Sequence, residues 1–525
     1  FSEGVLDWQN EVAAANDPGV AVFTTTPEAN DAPLFDVHGA WRPTTPTYAA
    51  FTSAVPYYVG KNLREQLGVP VGIIVSALGS TSIKSWTDYA TLQSLPAAAS
   101  FLSLHATRRT QFAAAISTYK NTAVAPYRAL ALEKLWTPTY APAIPEPEGY
   151  PTWRHQPAGL YHGMIAPLAR FPLRGFVWYQ GEGDSTDHAN YAAYLEGLIA
   201  GWRSAWDDAT LPFLIVQLAN YDHVKVSGNA TLADNWAYLR EQQQRAADRV
   251  PHTALVVIAD VGDSDTIHPR DKRTVGERLV RAARRLAYGE IGLVATGPRL
   301  ETLEVKGNEL TLTFHDETGT LVLDPTRATG AGPSFQLAGP DGVFHDATAT
   351  LDGLRVTLTA PAVREPRRVR YGFHNDPKLI LFNAADLPAA PFRAGLPTKP
   401  VASVSFTSGN AAEHDADLAS ATLTLGGAFT ATSYAAIGVP APSLTIATHL
   451  TPANVEAAVM AQSFVEFNVT PVNAHRLLLA GATLQFDVAR STAGAVFGYA
   501  VRWNLDDFSH DLAAATFTQE ASVFE

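Results

Sequence analysis

Thr253-Ala254-Leu255-Val256-Val257-Ile258-Ala259-Asp260, followed at once by Val261-Gly262-Asp263-Ser264-Asp265-Thr266-Ile267-His268-Pro269, is the stretch on which the fold turns. Its first half is an unbroken apolar run without polar alternation, the pattern of a strand covered by helices on both faces. Its second half is polar and glycine-bearing, and Pro269 prepares a helix start. Three other runs read the same way: Val71 to Leu78, Leu173 to Gln180 and Pro212 to Ala219. Helical periodicity lies between and after them. Tyr191, Tyr194, Leu195 and Leu198 share one face, as do Trp236, Leu239, Gln243 and Ala246, and then Val275, Leu279, Ala282, Ala283 and Leu286 before Gly289. This strand–helix alternation predicts an α/β domain on an open parallel sheet over residues 1–290.

Downstream the helical period vanishes. Leu310 to Phe314 and Leu354 to Leu358 alternate apolar and polar residues between Gly, Asp and Pro turns, predicting a β-rich domain over 291–398. After the linker Gly395 to Pro400, residues 399–525 are strand-like again. Val465, Phe467 and Val469 alternate with Glu466, Asn468 and Thr470, and Leu484, Phe486 and Val488 with Gln485, Asp487 and Ala489, which predicts a C-terminal β-sandwich.

Composition narrows the function. The 525 residues carry 38 basic and 51 acidic side chains, a formal charge of −13, which argues against a nucleic-acid binder needing a basic face. At 46 % hydrophobic and 17 % charged, the chain is neither disordered nor a coiled coil. No apolar run approaches the ~18 residues of a membrane span. Zero cysteines remove disulfides, thiolate nucleophiles and zinc–cysteine sites together. The start at Phe1 and the end at Glu525 are read as those of a piece of a longer, or processed, chain.

Ligands of open α/β sheets bind beyond the carboxyl ends of the strands. There the sequence places Leu78-Gly79-Ser80-Thr81, Gln180-Gly181-Glu182-Gly183-Asp184, Ala219-Asn220-Tyr221 and the Asp263–Pro269 loop. Asp265 and His268 form an Asp-x-x-His pair. A carboxylate on one ring nitrogen fixes the tautomer and stabilises the imidazolium, although the same spacing also serves turns and caps. A glycine amide at Gly79 and a side-chain amide at Gln180 suit an oxyanion hole; a tight turn and a satisfied buried amide are their bland alternatives. Asp184, Asp187 and His188 form an acidic loop better read as solvated or capping than as a cation site. Arg240, Glu241 and Gln244 share a helix and are read as structural pairing.

Several phrases then stand in register. They are Val69-Pro70-Val71-Gly72-Ile73-Ile74, Gly79-Ser80-Thr81 with Trp86, Leu160-Tyr161-His162-Gly163-Met164, Trp178-Tyr179-Gln180-Gly181-Glu182, Trp202-Arg203, Leu211-Pro212-Phe213, and Ile267-His268-Pro269 with Lys272. Together, over about Asn10 to Arg393, they resemble the bacterial sialate O-acetylesterase family of the SGNH-hydrolase superfamily. The resemblance implies a three-layer, flavodoxin-like fold and hydrolysis of acetyl esters on carbohydrates without metal or organic cofactor. It implies a Ser nucleophile, His268 as base, Asp265 as its partner, and Gly79 and Gln180 as oxyanion donors. Glu182 is read as a buried organiser of its loop.

Three departures matter. Ser80 stands where the family usually has a second glycine, and Gly183-Asp184 follow Glu182 in place of Ser-Asn or Ser-Asp. The family's Gly-Gln-Ser-Asn nucleophile motif is absent from all 525 residues, so the serine is expected upstream of Phe1. Ser264 lies four residues before His268 on the same loop and is read as a decoy. The rival reading is an inactive carbohydrate-binding or surface module, and the rival substrate an acetylated xylan or other polysaccharide. A periplasmic or extracellular location is inferred from the resemblance, the missing cysteines and the glycan substrate.

Overall fold

The four parallel strands read from the sequence form, but the expected burial holds in full only at Phe213–Val216; Val71–Val75 is partly buried at best, and Thr253–Val256 is buried only at Val256. The computed structural model describes residues 4–125, 153–327 and 329–396, together with the backbone of strand segments between residues 402 and 517. The chain separates into two compact units, one of residues 1–339 with 344–395, the other of 340–343 with 396–525.

In the first unit, β1 (Asp17–Thr25) pairs antiparallel with β2 (Gly39–Thr44) and parallel with β3 (Val71–Val75). A second three-stranded sheet, parallel throughout, has the order β4 (Phe176–Trp178), β5 (Phe213–Val216), β6 (Thr253–Val256). Strands β3 to β6 are the four apolar runs, each stopping short of its polar end, so that Gly79, Gln180, Asp265 and His268 fall on loops. Among the described residues, β3 and β4 each lack a strand on one edge. Val177, in the middle of β4, is accordingly 44 % exposed between buried Phe176 and Trp178.

The two sheets share helical cover on one face. On one face, α1 (Ala54–Leu67) and α4 (Lys272–Ala287) set Val59, Leu63, Val275 and Leu279 against Val71 and Ile73 of one sheet and Leu214, Val216 and Val256 of the other. The two helices touch where Gly276 meets Tyr58: a β-carbon there would lie 2.4 Å from the Tyr58 β-carbon, so only glycine permits the approach. On the opposite face, α2 (His188–Ala205) and α3 (Asn235–Arg249) bury Tyr191, Leu195, Leu198, Trp236 and Leu239 against Trp178, Phe213 and Ile215. These are the residues whose 3.6-residue spacing marked the helices. Asp271 caps α4, its carboxylate accepting the Thr274 amide at 3.0 Å.

The β-rich segment builds two four-stranded antiparallel sheets. In chain order its strands are β7 (Arg299–Lys306), β8 (Glu309–His315), β9 (Leu321–Leu323), β10 (Phe335–Ala338), β11 (Phe344–Asp346), β12 (Thr348–Asp352), β13 (Arg355–Thr359), β14 (Arg368–Tyr371), β15 (Leu381–Asn383) and β16 (Phe392–Gly395). One sheet runs β12-β13-β8-β7 and the other β11-β10-β14-β16. Leu310, Leu312, Phe314, Val356 and Leu358 of the first meet Phe335, Leu337, Val369 and Tyr371 of the second in one core. In the second unit Leu418–Leu425 pairs antiparallel with Val465–Pro471 and Phe497–Arg502 with Asp511–Phe517. The alternation at Leu484 to Val488 lies outside the described residues.

Arg240 of α3 joins the parallel sheet to the β-rich segment. Fully buried, it donates to the carbonyls of Leu218 (2.7 Å) and Ala219 (2.8 Å) beyond β5, and to those of His374 (2.8 Å) and Asn375 (2.6 Å) beyond β14. Burial pulls its pKa down to about 9, against the pull of the Asp376 carboxylate. Arg240→Met fills similar space but strips the Leu218 and His374 carbonyls of their donor, leaves those of Ala219 and Asn375 with only the Trp236 indole and the Tyr221 amide, and deprives Asp376 of its counter-charge. We expect the unfolding free energy, read by urea denaturation, to fall by about 3–5 kcal/mol.

Candidate active site

The four strand-end loops are tied to one another by side chains. From β4, the Gln180 amide donates to the Thr81 carbonyl beyond β3 (3.0 Å) and to Asp184 Oδ2 (2.7 Å), while its Oε1 accepts the Tyr191 hydroxyl (2.9 Å). Asp184, 2 % exposed, also accepts the Ser82 hydroxyl (2.6 Å) and the Ile83 amide (2.7 Å), the capping role read from its loop. From α3, Gln243 donates to the Gln180 carbonyl (3.0 Å) and accepts the Leu218 amide beyond β5 (2.9 Å). From β5, Asn220 Oδ1 accepts the Gly262 amide beyond β6 (2.7 Å).

Gly79 is exposed, and its amide takes part in no hydrogen bond among the described residues. It is therefore open to an incoming acceptor. Ser80 holds φ 59°, the left-handed conformation that a second glycine would enter without strain. Gln180 departs from expectation. Both its amide hydrogens are committed to Thr81 and Asp184, so in this arrangement it braces the β3 and β4 loops and offers no oxyanion donor.

His268 is exposed on the loop beyond β6. Its backbone amide donates to Thr266 Oγ1 (3.2 Å), and its ring has no hydrogen-bond partner among the described residues. Asp265 is exposed too, but the expected carboxylate–imidazole bond is not formed. A bridge between Asp263 and Thr266, with the Asp265 amide donating to Asp263 Oδ1 (3.0 Å), turns the Asp265 carboxylate away, and it pairs with Lys225 at 2.7 Å. Ser264 is engaged elsewhere: its hydroxyl donates to Asp376 Oδ2 (2.7 Å).

Glu182 sits beside Lys272, the first residue of α4, whose ammonium lies 5.7 Å from the centre of the Tyr179 ring. Burial raises the Glu182 carboxyl above the usual range, although the backbone amides and Lys272 oppose it, and burial lowers Lys272. Among the described residues, no group of three or more His, Cys, Asp or Glu is placed to hold a metal ion. The sequence reading misses Lys225, Asn220 in its bonding role, and Asp376. The last lies 108 residues beyond His268 in a β-rich segment with no catalytic signature of its own.

Free amide and exposed imidazole thus lie on the braced loops that follow the parallel strands. A carbohydrate acetylesterase of known structure from Xanthomonas citri is 33 % identical, with a TM-score of 0.59 over 74 % of this chain and 76 % of that one. This chain belongs to the carbohydrate esterase family of sialic acid-specific acetylesterases. The family's sequence model matches residues 150–285. Rat sialate O-acetylesterase is 29 % identical over 287 residues, and the human protein 28 % over 284, each match spanning 51 % of this chain. Those matches cover 49 % and 46 % of the two relatives, so the chain spans about half the length of the curated proteins it matches.

The raised Glu182 carboxyl has a pH consequence. A folded-state pKa above the unfolded value favours folding at low pH and loses that contribution as pH rises through the folded pKa. Glu182→Gln abolishes this titration. In thermal melts the Tm of the variant relative to the parent should therefore shift upward between pH 4 and pH 7, whatever its offset at pH 4.

Proposed function

We propose that this chain supplies most of a carbohydrate O-acetylesterase whose nucleophilic serine comes from a segment upstream of Phe1. The serine attacks the acetyl carbonyl and His268 takes its proton. The Gly79 amide donates to the developing oxyanion. As the intermediate collapses, the imidazolium returns the proton to the departing sugar oxygen, leaving an acetyl-serine. Water, deprotonated by His268, then attacks this ester, acetate leaves, and the serine is regenerated. Asp265 steadies the imidazolium once it leaves Lys225, an exchange open to a solvent-exposed pair. Gln180 contributes by bracing the loop that carries Gly79.

The observation that carries this reading is the free Gly79 amide and unpartnered His268 ring on interlocked loops, in a chain one-third identical to a carbohydrate acetylesterase. The unpaired edges of β3 and β4, under helices that both sheets share, support an additional strand between them. Such a strand would end level with Gly79, where a serine would face the His268 loop. An O-acetylated sialic acid is the substrate we favour, with acetylated xylan or another polysaccharide as the rival, and a periplasmic or extracellular location fits either. The second reading, an inactive glycan-binding module, rests on the absence of Gly-Gln-Ser-Asn from these 525 residues.

The test is to express the chain with its upstream coding sequence and to measure acetate released from a chromogenic acetate, O-acetylated sialic acid and acetylated xylan. His268→Ala should lower kcat/KM by about 10³-fold, within the range for losing a general base. An extended wild-type chain that releases no acetate, or a His268→Ala variant of undiminished rate, would end the esterase reading in favour of the binding module.

A further inference from the structure

The loop that carries Asp265 and His268 is held in place from the β-rich segment. Asp376, on the turn beyond β14, has no solvent exposure, and its two carboxylate oxygens reach the near leg of that loop by different routes, one directly and one through Asn220. Oδ2 accepts the Ser264 hydroxyl (2.7 Å), with the Ala331 amide as a second donor (2.9 Å). Oδ1 accepts Asn220 Nδ2 (2.8 Å), which leaves Asn220 Oδ1 turned toward the Gly262 amide (2.7 Å). Each of these donors meets one acceptor among the described residues. An amide group has a donor end and an acceptor end, so the carboxylate decides which end of Asn220 meets Gly262. The Asp376 side is itself fixed. Its carbonyl accepts the Gly332 amide (2.7 Å), its amide donates to His374 Nδ1 (3.1 Å), and Arg240 grips the carbonyls of His374 and Asn375.

We propose that Asp376 is a positioning residue of the esterase, setting the His268 loop through Ser264 and through Asn220 to Gly262. It touches neither substrate nor reacting atoms. The β-rich segment is then a working part of the catalytic unit, because the loop's register is written in a side chain that the α/β portion does not contain. Two buried anchors on Gly262 and Ser264 fix the stem from which Asp265 and His268 project. Displacing such a stem by about 1 Å costs on the order of 100-fold in rate while substrate binding is left largely alone.

The inference rests on the esterase reading above, and exchange of polarity between the partners tests it. Asp376→Asn presents a donor to Asn220, whose amide must turn and set its own donor against the Gly262 amide. Asn220→Asp sets two carboxylates face to face. The double variant, Asn220→Asp with Asp376→Asn, restores every complement: Asp at 220 accepts from Asn at 376 and from Gly262, and the Asn oxygen accepts from Ser264 and Ala331. In the extended chain each single variant should lose 10- to 100-fold in kcat, by the geometric argument, with KM little changed. The double variant should recover to within a few-fold of wild type. Hydrogen exchange at the Gly262 amide, measured on the 525-residue chain, should accelerate in the singles and slow again in the double.

Folded single variants with wild-type kcat and unchanged exchange at Gly262, or a folded double no better than the singles, would overturn the proposal. If Asp376→Asn fails to fold, Asn220→Asp and the double carry the same comparison. If the extended wild type releases no acetate, the esterase reading fails while the exchange measurement still judges the hydrogen-bond relay.

Discussion

A guanidinium with no access to water must find acceptors for its donors inside the protein, and Arg240 finds four carbonyls, two on each side of a junction. That requirement places the β-rich segment. Leu218 and Ala219 end a strand of the parallel sheet, His374 and Asn375 form a turn beyond β14, and one planar fork spans both. Burying the charge is costly unless a counter-charge and good geometry accompany it, and Asp376 next to the same turn supplies the counter-charge. The loop with Asp265 and His268, proposed above to bear the chemistry, is tied to this junction through Asp376.

The same economy recurs across the strand ends. Gln180, Asp184, Asn220 and Gln243 are partly or fully buried polar groups that spend their hydrogen-bonding capacity on neighbouring loops. A network whose members are satisfied is stiff, and a stiff floor lets a few exposed groups, here Gly79 and His268, keep their relative placement without being buried. Asp265 is the loose member. Its exposed pair with Lys225 holds weakly and is screened by salt, so the carboxylate exchanges partners at little cost.

Much of this was legible in the sequence because burial on two faces leaves an unmistakable trace. The runs holding β3 to β6 are apolar at their centres with no strict alternation, and the helical faces at Tyr191, Trp236 and Val275 repeat every three or four residues. Beyond the strand ends, polar and glycine-rich loops marked Gly79 and the Asp265–His268 pair. Strand β1 escaped notice because Pro18 and Gly19 open it, two residues that ordinarily argue against a strand. The commitment of Gln180 was undetectable, since a bracing amide and an oxyanion donor are the same residue type and differ only in what lies within 3 Å. Asp376 was invisible for a related reason: its partners at 220 and 264 are distant in sequence, and nothing in a β-rich composition marks a carboxylate as belonging to another segment's loop.

The edges of β3 and β4, open among the described residues, bear on handling as well as on the proposed chemistry. Rows of unsatisfied amides and carbonyls are templates for a neighbouring chain, and a strand such as β4, with Val177 open to solvent between two buried aromatics, presents both the ladder and an apolar grip. Molecules with those rims uncovered have a ready means of stacking rim to rim. Solubility at high concentration therefore reports on whether the rims are occupied.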